Sequence, residues 1–238
     1  MRRKIAAWIS RQVSKAKARG VVVGLSGGLD SAVTAALCCQ ALGKRRVLVL
    51  VLPCLSGKQD LLDARLIARR LKLKIKTIDL NPIYKACLRL LPKADRLSCG
   101  NLKARLRTLM FYYFANKLNY LVCGSSNKSE SLVGYFTKYG DGAADILPLG
   151  DLLKSQVKEL AGALNLPKKI INRVPTAGLW PGQTDEGELG ISYSQLDDIL
   201  SRLSKKQRQI QPVGLVNKVK SRIRASEHKR QPPRICKI

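Results

Sequence analysis

Residues 21–37 read Val21-Val22-Val23-Gly24-Leu25-Ser26-Gly27-Gly28-Leu29-Asp30-Ser31-Ala32-Val33-Thr34-Ala35-Ala36-Leu37. The first five are an apolar, β-branched run of strand length, and the last six favour a helix. Between them, Ser26 to Ser31 form a glycine-rich turn from strand to helix. Such a turn presents backbone N–H groups at the positive end of a helix dipole. It can hold phosphate without a lysine.

The turn differs from two better-known phosphate loops. A Walker loop needs Gly-x-x-x-x-Gly-Lys-Ser/Thr, and the nearest Gly-Lys, Gly57-Lys58, is followed by Gln59 and lacks the upstream glycine. Gly24, Gly27 and Gly28 are also misspaced for a dinucleotide fingerprint. Asp30 adds a further constraint. A carboxylate among phosphate-binding amides repels the ligand unless a divalent cation stands between them, so the motif points to a nucleotide pyrophosphate with Mg²⁺. The alternative is an ordinary tight turn in which Ser26 or Asp30 only caps the helix.

Working outward, apolar strand-like runs alternate with helical stretches. A basic amphipathic opening, residues 1–20 with Ile5, Trp8, Ile9 and Val13, precedes the first strand. Val47–Leu52 reads as a second strand ended by Pro53, 61–68 as a helix, and 74–79 as a third strand. A long helix is expected over 101–118 with Leu102, Leu106, Leu109 and Tyr113 on one face, followed by a strand at 120–123. Continuous β-rich runs separated by helices predict an α/β fold, an open, doubly wound, mainly parallel sheet with helices on both faces. In such sheets ligands bind at the carboxyl ends of the strands, so Gly124-Ser125-Ser126-Asn127 should face the same crevice as the first turn. With no repeat or linker, residues 1–238 read as one domain.

Composition narrows the class of protein. The chain has 238 residues, 45% hydrophobic and 25% charged, enough for one domain with a substantial core. No apolar stretch spans a bilayer and no signal-like segment follows Met1, so the cytoplasm is the expected compartment. Seven cysteines without a Cys-x-x-Cys pair, and His228 as the single histidine, argue against a zinc site. Net charge is +28: residues 1–20 carry seven Lys/Arg and no acid, and 201–238 carry twelve against Glu227 alone. A polyanion partner is one reading of that charge. With aromatics at 5%, too few for base stacking, and no RNA-binding signature, nucleic acid is not the expected partner.

The second half of the chain holds the remaining chemistry. Ser125, Asn127, Glu130, Lys138, Tyr139, Asp141, Asp145 and Lys154 crowd into about thirty residues punctuated by glycines. Loops of that length inside a compact domain are usually functional. Glu130 is suited to join Asp30 on one Mg²⁺, and Lys138 and Lys154 to face phosphate. Cys123, beside this region, reads as a packing residue at a strand end.

Together these motifs carry a resemblance. Ser26–Ser31 resembles the pyrophosphatase loop of the adenine nucleotide alpha-hydrolase superfamily. Asn101–Arg107, Gly124–Glu130, Gly134–Gly142, Gln183–Gly190 and Glu227–Arg230 resemble the ammonia-dependent NAD synthetases, in order, from about residue 20 to 233. The resemblance implies an ATP site of Gly24, Leu25, Ser26, Gly27, Gly28, Leu29, Asp30, Ser31, Ser125, Lys154 and Thr176. It implies Mg²⁺ on Asp30 and Glu130, and deamido-NAD contacts from Arg105, Lys138, Asp145, His228 and Lys229. It further implies amidation of deamido-NAD through an acyl-adenylate, with free or delivered ammonia as nitrogen source, no side-chain nucleophile, and a homodimer. Ser125 stands where the family often has threonine, and keeps the hydroxyl. The segment 176–192 would be a mobile loop that orders over the substrates. Two alternatives stay open on residues alone: a tRNA-modifying enzyme using the same loop, and a nucleotide-binding protein without activity.

Overall fold

The computed structural model describes residues 1–207 and 210–237. In chain order the elements are α1 (Arg2–Lys15), β1 (Gly20–Gly24), α2 (Leu29–Leu42), β2 (Val47–Val51), α3 (Lys58–Leu71), β3 (Ile75–Thr77), α4 (Asn81–Leu90), α5 (Arg96–Leu118) and β4 (Tyr120–Cys123). Then follow α6 (Lys128–Leu132), α7 (Lys154–Ala163), α8 (Lys168–Ile171), α9 (Asp185–Leu189), α10 (Tyr193–Ser204), α11 (Val213–Ala225) and α12 (Glu227–Arg230). The four strands form one parallel sheet in the order β3-β2-β1-β4.

That order follows from the sequence pattern. β1 and β2 are the most continuously apolar strands and take the centre, where both faces are covered. β3, with Lys76 in it, is half-exposed and lies at an edge. Alternation along β1 divides the core: Val21 and Val23 pack with Ile9, Val13, Leu37, Val157 and Leu160 from α1, α2 and α7. Val22 points to the other face with Leu50, Val122, Tyr84, Leu106 and Ala115. A third apolar cluster, with Leu189, Tyr193, Leu196, Ile199, Val216 and Val219, joins α9, α10 and α11.

The chain moves from β1 out to β2 and β3, then crosses back to pair β4 on the other side of β1. The direction of winding therefore reverses between β1 and β4, where open parallel sheets form their ligand crevice. The turns after β1 and β4 meet there, as expected from sequence.

Of the α5 residues that share one face, Leu102 and Leu106 pack into the core, while Leu109 and Tyr113, further along, are 55% and 56% exposed. Gly100, Ala104 and Thr108, spaced four apart, form a second buried row on α5. These small residues allow close approach: a side chain at Gly100 would press on Leu179 and Trp180. The helix also starts earlier, at Arg96, where the Asp95 carboxylate caps it by accepting from Ser98 N (2.7 Å). Among the described residues no helix is long and apolar enough to cross a membrane.

Candidate active site

The turn after β1 is held in shape by its own serines. Ser31 Oγ donates to the Gly28 carbonyl (2.9 Å), and Ser26 Oγ accepts from Gly28 N (3.3 Å). Gly28 is the N-cap of α2 and contributes no side-chain acceptor, so the helix start is left to a ligand rather than closed by a side chain. Gly27 has φ of +87°, and a Cβ there would fall 2.4 Å from the Asp60 carbonyl oxygen. Only glycine fits that position. From outside, Arg173 clamps the turn: Nη1 donates to the Gly27 carbonyl (3.2 Å) and to Asp63 (3.0 Å), while Nη2 pairs with Asp60.

Opposite the turn lies a buried charge cluster. Lys154, the first residue of α7, places Nζ 2.5 Å from Asp30 Oδ2 and 3.0 Å from Glu130 Oε1. Asn127 Nδ2 donates to the other Asp30 oxygen (3.2 Å). The Tyr193 hydroxyl lies 3.2 Å from Glu130 Oε1 and 3.0 Å from Asp185 Oδ2, and the Lys154 ammonium sits 4.9 Å over the Tyr193 ring. Asp185 is 4% exposed, and among the described residues its Oδ1 has no hydrogen-bond partner. Burial pushes the Glu130 carboxyl up to about 7 against the opposing pull of Lys154. Burial also disfavours the Lys154 ammonium, but Asp30 and Glu130 outweigh it and hold Lys154 above its ordinary range.

These groups face a cavity of about 1100 Å³. The residues expected at the ATP site collect there: the turn from Gly24 to Ser31 except Gly27, together with Ser125, Glu130, Lys154 and Thr176, line it. Thr176 Oγ1 accepts from Gly178 N (3.0 Å), which shapes a turn at the rim. The expected dinucleotide contacts divide. Lys229 lines the cavity, donating to the Gly134 and Phe136 carbonyls (2.9 and 3.0 Å), and burial lowers its pKa. Arg105, Lys138 and His228 lie outside the lining in a chain of contacts. Arg105 Nη2 donates to the Lys138 carbonyl (3.3 Å), and Lys138 Nζ to the His228 carbonyl (2.5 Å). Asp145 also lies outside. It accepts from Val122 N (2.7 Å) and from the Tyr112 hydroxyl (3.3 Å), tying the loop to β4.

Sequence reasoning assigned no role to Tyr193, Arg173 or Asp185. The first two are common residue types that only the tertiary fold brings to the cavity. Asp185 stood inside the Gln183–Gly190 motif, which was the available signal.

A parallel sheet with a Ser-Gly-Gly-Leu-Asp-Ser cradle at its switch point defines a PP-loop nucleotide-binding α/β protein. The model of one such family, NAD synthase, matches residues 1–233. The chain is 44% identical over 237 residues to the NH(3)-dependent NAD(+) synthetase of Archaeoglobus fulgidus, covering 99% of this chain and 95% of the relative. It superposes on the NMN synthetase of Francisella tularensis with a TM-score of 0.91 at 38% identity, covering 100% and 97% of the two chains. The NH3-dependent NAD synthetase of Campylobacter jejuni gives 0.86 at 33% identity, covering 99% and 97%. The chain belongs to the NAD synthase family.

Proposed function

We propose that the protein is an ammonia-dependent NAD synthetase that amidates deamido-NAD at the expense of ATP. The observation that carries the reading is the convergence of Lys154, Asp30 and Glu130 opposite the Ser26–Ser31 turn. In the first step the nicotinate carboxylate attacks the α-phosphorus of ATP, forming an acyl-adenylate and breaking the bond to pyrophosphate. In the second, ammonia adds to the acyl carbon, AMP leaves with the bonding pair, and a proton is lost to give the amide of NAD.

The residues divide this work. Backbone N–H groups at the start of α2, with Lys154 and Thr176, hold the departing pyrophosphate and spread its charge. Asp30 and Glu130 suit Mg²⁺: their oxygens both lie within 3.0 Å of one point, Lys154 Nζ, and offer a hard, all-oxygen donor set. Asp185 Oδ1, buried and without a hydrogen bond among the described residues, fits a site with room for a further donor. Among the described residues no group of three or more His, Cys, Asp or Glu side chains forms a cage, so phosphate and water oxygens would complete the coordination. Bound Mg²⁺ supplies charge neutralisation on the phosphates. Arg105, Lys138, Asp145, His228 and Lys229 serve deamido-NAD. The cavity exceeds the usual range of roughly 300–1,000 Å³ for single small ligands, in keeping with two nucleotides.

The same reading takes the chain as one synthetase domain acting in the cytoplasm, with 176–192 as a closing segment and no nucleic-acid partner. It also takes the protein as a homodimer. Arg105, Leu109 and Tyr113 lie four apart on the exposed side of α5. A second copy covering Leu109 and Tyr113 would therefore stand over Arg105 and wall in the dinucleotide contacts.

The test is direct. The protein is incubated with ATP, Mg²⁺, deamido-NAD and ammonium, and NAD and AMP are quantified; equal yields of both are expected. Absence of both from folded protein overturns the reading. Glutamine in place of ammonium should give no NAD. A parallel arm replaces deamido-NAD with the corresponding mononucleotide, because one structural relative is an NMN synthetase. Faster amidation of the mononucleotide would move the assignment to that substrate.

A further inference from the structure

Lys154 is held by more than its two carboxylates. It opens α7, whose N-cap, Leu153, offers no side-chain acceptor to the first turn. The missing caps come from elsewhere in the chain. Ser129 Oγ, fully buried, accepts from Lys154 N (3.0 Å), and Asp197 Oδ2 accepts from Ser155 N (2.8 Å). Ser129 Oγ then donates to the other Asp197 oxygen, Oδ1 (2.5 Å). Asp197 is 6% exposed, and the donors at the start of α7 meet its charge.

The three bonds join the elements that matter. Ser129 precedes Glu130 on α6, Ser155 follows Lys154 on α7, and Asp197 lies one turn beyond Tyr193 on α10. Tyr193 in turn reaches Glu130 and Asp185. One buried carboxylate thus sets the spacing between the ammonium and the carboxylates at the phosphate cradle.

We propose that Asp197 is the positioning residue of the pyrophosphate site, acting through Ser129 and the start of α7 to place Lys154 against Asp30 and Glu130. The inference rests on the assignment of Lys154 to the departing pyrophosphate. A displacement of about 1 Å at such a group costs up to about 10²-fold in rate, so its support should be visible in kcat.

The test is a mutant cycle on the full-length protein. Asp197→Asn keeps the shape but offers an amide NH2 where an acceptor is needed. In otherwise native protein, kcat for AMP formation should fall about 30-fold, with KM for ATP moving less than about threefold. In a Lys154→Met background the same change should cost less than about threefold further, because the group being placed is gone. A folded Asp197→Asn protein with native kcat overturns the proposal. So does an equal loss in both backgrounds, which marks a purely structural carboxylate. If Asp197→Asn does not fold, Ser129→Ala keeps the Asp197–Ser155 bond and takes its place. A loss of about tenfold that vanishes with Lys154→Met supports the proposal, and one that persists refutes it. The Lys154→Met protein also separates this proposal from its premise. Full activity there removes the Lys154 assignment and this inference together. A slow Lys154→Met enzyme beside a native-rate Asp197→Asn enzyme removes the inference alone.

Discussion

Lys154 Nζ stands 2.5 Å from Asp30 Oδ2, joining residues 124 positions apart across the mouth of the phosphate cradle. Asp30 lies in the first turn of α2 and Lys154 is the first residue of α7, so two helix starts point at one place. Both helices bring partial positive charge there, and the lysine adds a full one. A departing pyrophosphate meets that field with little reorganisation of the protein, which is the condition for electrostatic catalysis.

Lys154→Met should therefore lower kcat by about 10²- to 10³-fold, the range for removing one preorganised group facing developing charge. Binding of deamido-NAD, measured by calorimetry, should change little, because its expected contacts lie elsewhere. Equal losses of affinity for both nucleotides would place Lys154 in general architecture.

Gly27→Ala tests the turn itself. A positive φ combined with a Cβ 2.4 Å from the Asp60 carbonyl forces the loop to move. Strain of this kind costs about 1–3 kcal/mol. The variant should fold, unfold at lower temperature, and bind ATP at least about tenfold more weakly, as read by equilibrium titration. Native ATP affinity would show that the turn does not need this conformation.

Arg173 braces the same turn from behind. It bridges Asp60, Asp63 and the Gly27 carbonyl, and Asp63 is 2% exposed. Arg173→Gln leaves that buried carboxylate to Gln59, which donates to Oδ1 (2.7 Å), and to Lys169, whose ammonium is 2.9 Å away on a largely exposed side chain. The expected cost is about 2–3 kcal/mol by urea unfolding, below the about 3–5 kcal/mol of a fully buried pair because Lys169 remains. ATP affinity should fall as well. Unchanged stability would mean that Lys169 and Gln59 together satisfy Asp63.

Cys123 closes β4 beside the cavity and is 3% exposed, with its Sγ 3.5 Å from Cys38 Sγ in the core. Cys123→Ala should retain near-native turnover and lose about 1 kcal/mol of stability. Alkylation gives a second measure. Exposed Cys236 should react with iodoacetamide at pH 8 well before Cys39, whose thiol burial pushes up to about 12, leaving almost no thiolate. Loss of turnover in folded Cys123→Ala would assign this thiol to the chemistry.

The parts legible in the sequence are those written locally. The run of valines before Ser26 gives a buried strand because alternation and continuity are properties of a few neighbouring residues. The turn chemistry sits in six consecutive positions, and both expected Mg²⁺ ligands converge because each follows a strand end. What the sequence hid depends on distant packing. Helical spacing puts Leu102, Leu106, Leu109 and Tyr113 on one side of α5 but does not say how far along that side the core extends: Leu102 and Leu106 reach it, Leu109 and Tyr113 do not. Gly100 and Ala104 lie on another side, where their small size lets Leu179, Trp180 and Gly140 approach closely. Arg173 and Asp197 act at 146 and 42 residues' separation from the groups they hold, with no local signature.

The exposed side of α5 has the makings of an interface between two copies of the chain. Leu109 and Tyr113 are more than half exposed on a helix whose opposite face is buried, and Arg105 lies one turn before Leu109. An aromatic and a leucine aligned in this way favour an apolar partner surface, and a dimer would bury them around a two-fold axis. Leu109→Asp places a charge in that surface without touching the core. The native protein should sediment as a dimer and the variant as a monomer with unchanged helical content. If the partner covers Arg105, the monomer should also show a KM for deamido-NAD raised at least about tenfold, with KM for ATP within about twofold. The split follows from position, since the ATP-side residues line the cavity within one chain while Arg105 faces outward. A variant that stays dimeric would place the interface elsewhere, and a monomer with native KM for deamido-NAD would show that one chain completes the site.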